Sequence, residues 1–179
     1  MKATGIVRRI DDLGRIVIPK EIRRTLRIRE SDPLEIYTTA DGEVIFKKYS
    51  PVGDIGPFAE QFAEVLARQL QATALICDRD EIVAAAGPAR RECRGRHISR
   101  PLEQIMEGRR LYRFGGKGGE SLYPCEGCAE AIAVAMPILA AGDMVGAVAL
   151  LSGGKGQPDD TLVKSVQIAA AFLARQMEE

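Results

Sequence analysis

Nine of the first twenty-nine residues are Lys or Arg (Lys2, Arg8, Arg9, Arg15, Lys20, Arg23, Arg24, Arg27 and Arg29), set against Asp11, Asp12 and Glu21. A guanidinium is a planar fork that meets a phosphate or a guanine edge at two points. Each one placed on a phosphate also releases a condensed counterion, which strengthens binding. Such a block, with Ile, Val and Gly between the charges, has the composition of a surface that lies along a nucleic-acid backbone. The whole chain carries 25 basic and 25 acidic side chains, so the other 150 residues hold 16 bases and 22 acids, a net of −6. A neutral total hides a basic head and an acidic body, and nucleic acid is the leading partner.

A second group of residues could do thiol or metal chemistry. Cys125-Glu126-Gly127-Cys128 is a CxxC pair, and Cys93 with His97 is a CxxxH pair. Three thiolates and an imidazole make a tetrahedral ligand set, for which zinc is the natural ion. Redox sensing and plain loop thiols are the other readings of the same residues. Cys77 stands in an apolar stretch and reads as a small core residue. The loop containing Cys125 and Cys128 follows Gly115 to Gly119 and offers few apolar side chains to hold it. Gly115-Gly116-Lys117-Gly118-Gly119 and Gly153-Gly154-Lys155-Gly156 lack the GxxxxGK[ST] spacing of a phosphate loop and read as loops. A single His, and no base placed beside Cys93 or Cys125, leave no nucleophile arrangement, so a binding protein is expected and not an enzyme.

The elements that must position these residues follow from pattern. Gly5 to Ile10 and Arg15 to Ile18 read as strands around a turn at Asp11-Asp12-Leu13-Gly14. Pro19 starts a two-turn helix from Lys20 to Leu26. Leu34 to Thr39 and Glu43 to Lys48 form a hairpin around Asp41-Gly42, with Lys47 and Lys48 as surface charges. This β-β-α-β-β unit of about fifty residues has too few apolar side chains to offset the entropy of ordering it. A second copy, interleaved with the first, is the simplest source of the missing core.

Residues 50–54 read as a linker, and residues 55–179 as a second domain after the first at 1–49. Ile55, Phe58, Phe62, Val65, Leu66 and Leu70 recur at helical spacing, predicting an amphipathic helix from Asp54 to Leu70 that offers a surface for pairing dimers into tetramers. Strands are expected at Thr73 to Cys77, Ile82 to Ala86, Leu111 to Phe114, Glu130 to Leu139 and Met144 to Ser152. Ser99 caps a helix over Arg100 to Glu107, and Asp159 or Asp160 caps the closing one. At 179 residues, 46% apolar and 28% charged, the composition is that of an ordinary soluble protein. No signal core or membrane span is visible, so the cytoplasm is the expected compartment and a disulfide framework is not.

The run Thr4-Gly5-Ile6-Val7-Arg8-Arg9-Ile10-Asp11-Asp12-Leu13-Gly14-Arg15-Ile16-Val17-Ile18-Pro19-Lys20-Glu21-Ile22-Arg23-Arg24-Thr25-Leu26 closely resembles the DNA-binding domain of the AbrB transition-state regulators. With its longer C-terminal part, the chain is similar to the SpoVT class of sporulation regulators. The resemblance implies an α+β fold: a swapped-hairpin barrel made by two chains, then a GAF-like sensor. It implies that double-stranded DNA is the partner, with Arg8, Arg15, Arg23 and Arg24 as contacts and Arg9 as a lesser one. Ser31 stands where relatives often have Gly, and a Ser suits that turn if its backbone is not left-handed. The second half resembles GAF domains by its order of elements and by the Val-Ala-Met-Pro-Ile and Val-Gly-Ala-Val-Ala-Leu-Leu strands. Such domains often take a small molecule in a pocket, whose identity the residues do not specify here. Two other functions stay open at this point, an antitoxin-like module and a metal- or redox-responsive regulator acting through Cys93, His97, Cys125 and Cys128.

Overall fold

The computed structural model describes residues 6–115, 121–151, 153 and 157–178. Most of both glycine-lysine stretches therefore lies outside the described residues. The chain divides into two compact units, Met1–Tyr49 and Ser50–Glu179.

In the first unit, helix α1 spans Lys20–Thr25 and a hairpin joins β1 (Leu34–Thr38) to β2 (Val44–Lys48). Leu34 pairs with Lys48 and Thr38 with Val44, around a turn in which Gly42 takes φ +81°. Helix α1 ends because Arg27 turns left-handed at φ +52°, which lets the Ile28 amide reach back to the Arg23 carbonyl at 2.7 Å. Lys48 is not a free surface charge: its Nζ donates to the Arg27 carbonyl at 2.9 Å and pairs with Asp32 at 3.4 Å, tying the hairpin to the helix end. Ser31 does adopt the left-handed region, at φ +65°, so the turn keeps its shape with a residue that is strained there.

Segments 6–10 and 15–18 were expected as strands, and in the single chain they are not. A strand exists only against a partner edge, and among the described residues of one chain none pairs with them. Val7, Ile10, Leu13 and Val17 are 87%, 65%, 70% and 73% exposed. Among the described residues of the first unit only Pro19 is buried, and the clustered apolar core begins at Val52.

The second unit is a five-stranded antiparallel sheet in the order β4-β3-β7-β6-β5, built from β3 (Ala74–Cys77), β4 (Ile82–Ala86), β5 (Tyr112–Arg113), β6 (Ile132–Ala140) and β7 (Asp143–Leu151). Alternation along the strands sends side chains to two cores. Ala74, Ile76, Val148 and Leu150 face a core shared with α2 (Pro51–Asp54), α3 (Gly56–Leu70) and α6 (Asp160–Gln176). Leu75, Cys77, Ala147 and Ala149 face the opposite core, shared with α4 (Arg90–Cys93) and α5 (Arg100–Glu107). A side chain at Gly146 would collide with the Cys77 carbonyl, which is why β7 carries glycine where it passes β3. The second unit is thus an antiparallel sheet covered by helices on both faces, and the chain as a whole is α+β.

Residues 50–54 are not a linker. Ser50 caps α2 by accepting the Gly53 amide at 3.0 Å, and Val52 is fully buried in the core of the second unit. The expected helix from Asp54 to Leu70 is broken at Ile55, before Pro57 in the first turn of α3. Helices α5 and α6 start where expected, with Ser99 and Asp159 accepting the Leu102 amides at 3.3 Å and the Leu162 amide at 2.8 Å respectively. No helix among the described residues is long and apolar enough to cross a membrane.

Candidate nucleic-acid interface

Arg8 and Arg9 lie exposed on the extended segment 6–10, Arg15 at the exit of the following turn, and Arg23 and Arg24 in the last turn of α1. Arg24 is exposed and Arg23 half-buried. Cations at a helix C-terminus oppose its negative end, so this placement also suits the short helix.

The turn that carries Arg15 is built around one carboxylate. Asp11 Oδ1 accepts the Leu13 amide at 3.0 Å and the Arg15 amide at 2.7 Å, while Oδ2 accepts Arg15 Nε at 2.7 Å. The Asp11 amide donates to the Arg15 carbonyl at 3.1 Å, and Gly14 takes φ +76° to let the chain reverse. The Arg15 backbone amide, followed by its guanidinium, lowers the Asp11 pKa below the usual carboxylate range. Asp11 therefore stays charged and aims Arg15, whose side chain remains 69% exposed. Sequence reading missed this role. Its signal was the Asp at the first position of a turn with an Arg four residues on.

The thiols sit in the second unit. Cys93, Cys125 and Cys128 are all buried in the core under α4 and α5, together with Leu122, Ile98 and Ile132. The loop bearing Cys125 and Cys128 is thus better packed than its composition suggests. Cys93 Sγ stands 3.2 Å from Cys128 Sγ, and Cys125 Sγ donates to the Glu92 carbonyl at 3.7 Å. Burial, then the neighbouring thiols, pushes the Cys93 pKa up. Burial also raises that of Cys125, and Cys77 on β3 is pushed up to about 12 by burial.

His97 does not join them. It is exposed, bridges to Glu81, and its Nδ1 faces the Asp80 carbonyl at 3.3 Å. Its backbone pairs with Glu81 while the next residue, Ile98, bridges to Cys125, so of the expected set Cys93, His97, Cys125 and Cys128 the three thiols share a buried core and His97 is exposed. Among the described residues no group of three or more His, Cys, Asp and Glu is arranged to hold a metal ion.

On the outer side of the other core, the rings of Phe58 and Phe62 stack on α3 and Phe172 of α6 packs tilted against both, with centroids 5.5–6.0 Å apart. Val65, Ile168 and Phe172 extend this stripe into solvent at 54%, 69% and 44% exposure. Monomeric surfaces seldom keep such a contiguous patch.

Comparison with known proteins adds to this geometry. Residues 54–178 match the family described as stage V sporulation protein T C-terminal, transcription factor. Residues 7–54 match the family described as antidote-toxin recognition MazE, bacterial antitoxin. The chain is 48% identical over 180 aligned residues, covering all of both chains, to stage V sporulation protein T of Bacillus subtilis. It is 63% identical over 51 residues to the transition state regulatory protein AbrB of the same organism, covering 28% of this chain and 52% of that one. The fold is similar, at a TM-score of 0.55 and 18% identity, to a methyl-accepting chemotaxis protein fragment, over 70% of this chain and 88% of that one.

Proposed function

We infer that this chain, which belongs to the stage V sporulation protein T family of transcription factors, is a DNA-binding regulator of sporulation genes whose N-terminal units act in pairs. The observation that carries the reading is the first unit itself: five arginines presented on residues 8–24, on a scaffold whose own apolar side chains are left exposed. A second copy supplies the missing edge for segments 6–10 and 15–18, and pairing two basic heads doubles the phosphate contacts. The pair is a homodimer in which Arg8, Arg15, Arg23 and Arg24, with Arg9 in support, contact double-stranded DNA. Its work is binding, not catalysis.

The stripe of Phe58, Phe62, Val65, Ile168 and Phe172 joins two such dimers into a tetramer. The second unit is the sensor. Only Tyr49 and Ser50 separate β2 from α2, so a signal that moves α2 and α3 reaches the DNA head through a two-residue connection. An antitoxin-like module is favoured by the match of residues 7–54 alone. The likeness across the whole chain to a sporulation protein supports the regulator.

The test is duplex binding by a variant with Arg8, Arg15, Arg23 and Arg24 all changed to Ala. It is expected to keep its assembly state and lose DNA affinity. Retained affinity would remove the proposed interface.

A further inference from the structure

We propose that Cys93 and Cys128 form a reversible, peroxide-sensitive disulfide site inside the second unit, which gives the sensor a chemical input of its own. Three observations meet at this place. The two sulfurs are already 3.2 Å apart, and a disulfide needs about 2.05 Å, a closure on the scale of side-chain rotation. Second, the two strands of chain that carry them are docked independently of the sulfurs. The Ala129 amide donates to Glu92 Oε2 at 3.2 Å, and the Ser99 amide to the Pro124 carbonyl at 2.8 Å. The segments are therefore held side by side whether or not the bond forms.

The third observation concerns which thiol reacts first. Cys93 is fully buried and Cys125 is 3% exposed, whereas Cys128 keeps 7% and is the most accessible of the three. Cys125 lies beside both other thiols and also donates to the Glu92 carbonyl at 3.7 Å, whereas Cys93 and Cys128 are the pair in direct contact at 3.2 Å. The order of events follows. The Cys128 sulfur attacks one oxygen of hydrogen peroxide, the O–O bond breaks, and the thiol proton leaves with the second oxygen as water, giving a sulfenic acid. The Cys93 sulfur then attacks the Cys128 sulfur. The S–S bond forms, the S–OH bond breaks, and hydroxide departs with the Cys93 proton as a second water. Two thiols and one peroxide give one disulfide and two waters, with two electrons passed to the peroxide. A dithiol reductant reverses the step by exchange.

The bond would join the end of α4 to the loop that leads into β6, positions 35 residues apart in sequence. Thirty-five residues of closed loop restrict the unfolded chain, so the oxidised form melts at a higher temperature. Slow closure is expected, because burial keeps the attacking Cys93 thiol protonated. A site of this kind responds to sustained oxidant and not to a brief pulse.

The experiment treats the intact, fully reduced chain with millimolar hydrogen peroxide, quenches with an alkylating reagent, and maps the products by mass spectrometry. The expected result is a loss of two hydrogens per chain, a linked peptide pair containing Cys93 and Cys128, a raised melting temperature, and full reversal by dithiothreitol. Cys125→Ser retains the link. Cys93→Ser leaves a sulfenic acid on Cys128 that dimedone captures, which reports the mechanism even if the bond cannot form. A link between Cys125 and Cys128, a link between chains, or Cys128 driven to sulfinic acid while Cys93 stays alkylatable would each overturn the proposal.

Discussion

Arg15→Ala and Asp11→Ala together probe how the proposed interface works. If each of the five arginines meets one phosphate and two chains share a duplex, ten contacts give a slope of log affinity against log salt of about −9. Arg15→Ala removes two of these and brings the slope to about −7. Over a fourfold rise in salt the paired protein then loses about 10⁵ in affinity and the variant about 10⁴. Asp11 gives the more discriminating sign. Removing a carboxylate near DNA should strengthen binding if Asp11 acts only as a repelling charge. Asp11 also holds Arg15 through Nε at 2.7 Å and shapes the turn through two amides. Loss of that support is expected to weaken binding and to lower the slope toward that of Arg15→Ala. The assay is fluorescence anisotropy on a labelled duplex selected for binding from a random pool, at several salt concentrations. Tighter binding by Asp11→Ala would refute the positioning role. Unchanged affinity and slope in single Ala variants of Arg8, Arg15, Arg23 and Arg24 would refute the interface.

Ser31→Gly relieves the left-handed strain at φ +65° and is expected to stabilise the first unit by about 0.5 to 1 kcal/mol, read as a raised melting temperature. Ile168→Asp places a charge in the exposed stripe and is expected to convert tetramers to dimers in sedimentation, with the DNA-binding pair intact. The Cys77 thiol titrates near 9 in the unfolded chain and is pushed up to about 12 in the folded one, so its contribution is complete below about pH 9. Stability then falls by about 1.4 kcal/mol per pH unit for this thiol as pH rises from about 9 to 12, because only the unfolded state loses its proton. Urea unfolding at pH 8 and pH 10 is expected to show the loss, and Cys77→Ala to reduce it.

The second unit was legible because its strands and helices satisfy themselves within one chain. Ser99 and Asp159 cap the helices their positions announce, and the alternation in Ala74–Cys77 and Asp143–Leu151 matches two cores. Helix α4 escaped notice because Arg90-Arg91-Glu92-Cys93 has no apolar period to reveal one turn of helix. The linker reading of residues 50–54 failed for a related reason. Pro51 and Gly53 look like loop residues, yet Pro suits a helix start and Ser50 supplies the cap. Pattern also suggested strands at 6–10 and 15–18, but a strand needs an edge that one chain lacks. Arginine positions could be read directly. Nothing in the spacing of Cys93, His97, Cys125 and Cys128 could tell that three would converge in a core while the imidazole faces the Asp80 carbonyl. Side-chain convergence across distant segments is a product of the fold, not of local pattern.

Completion of the first unit by a second chain is tested most directly by the melting of a fragment of residues 1–49 as a function of its concentration. A pair that folds only on association has a midpoint that rises with concentration by mass action. That rise is expected, with chains unfolded at high dilution. A folded monomer with a melting temperature independent of concentration would contradict it.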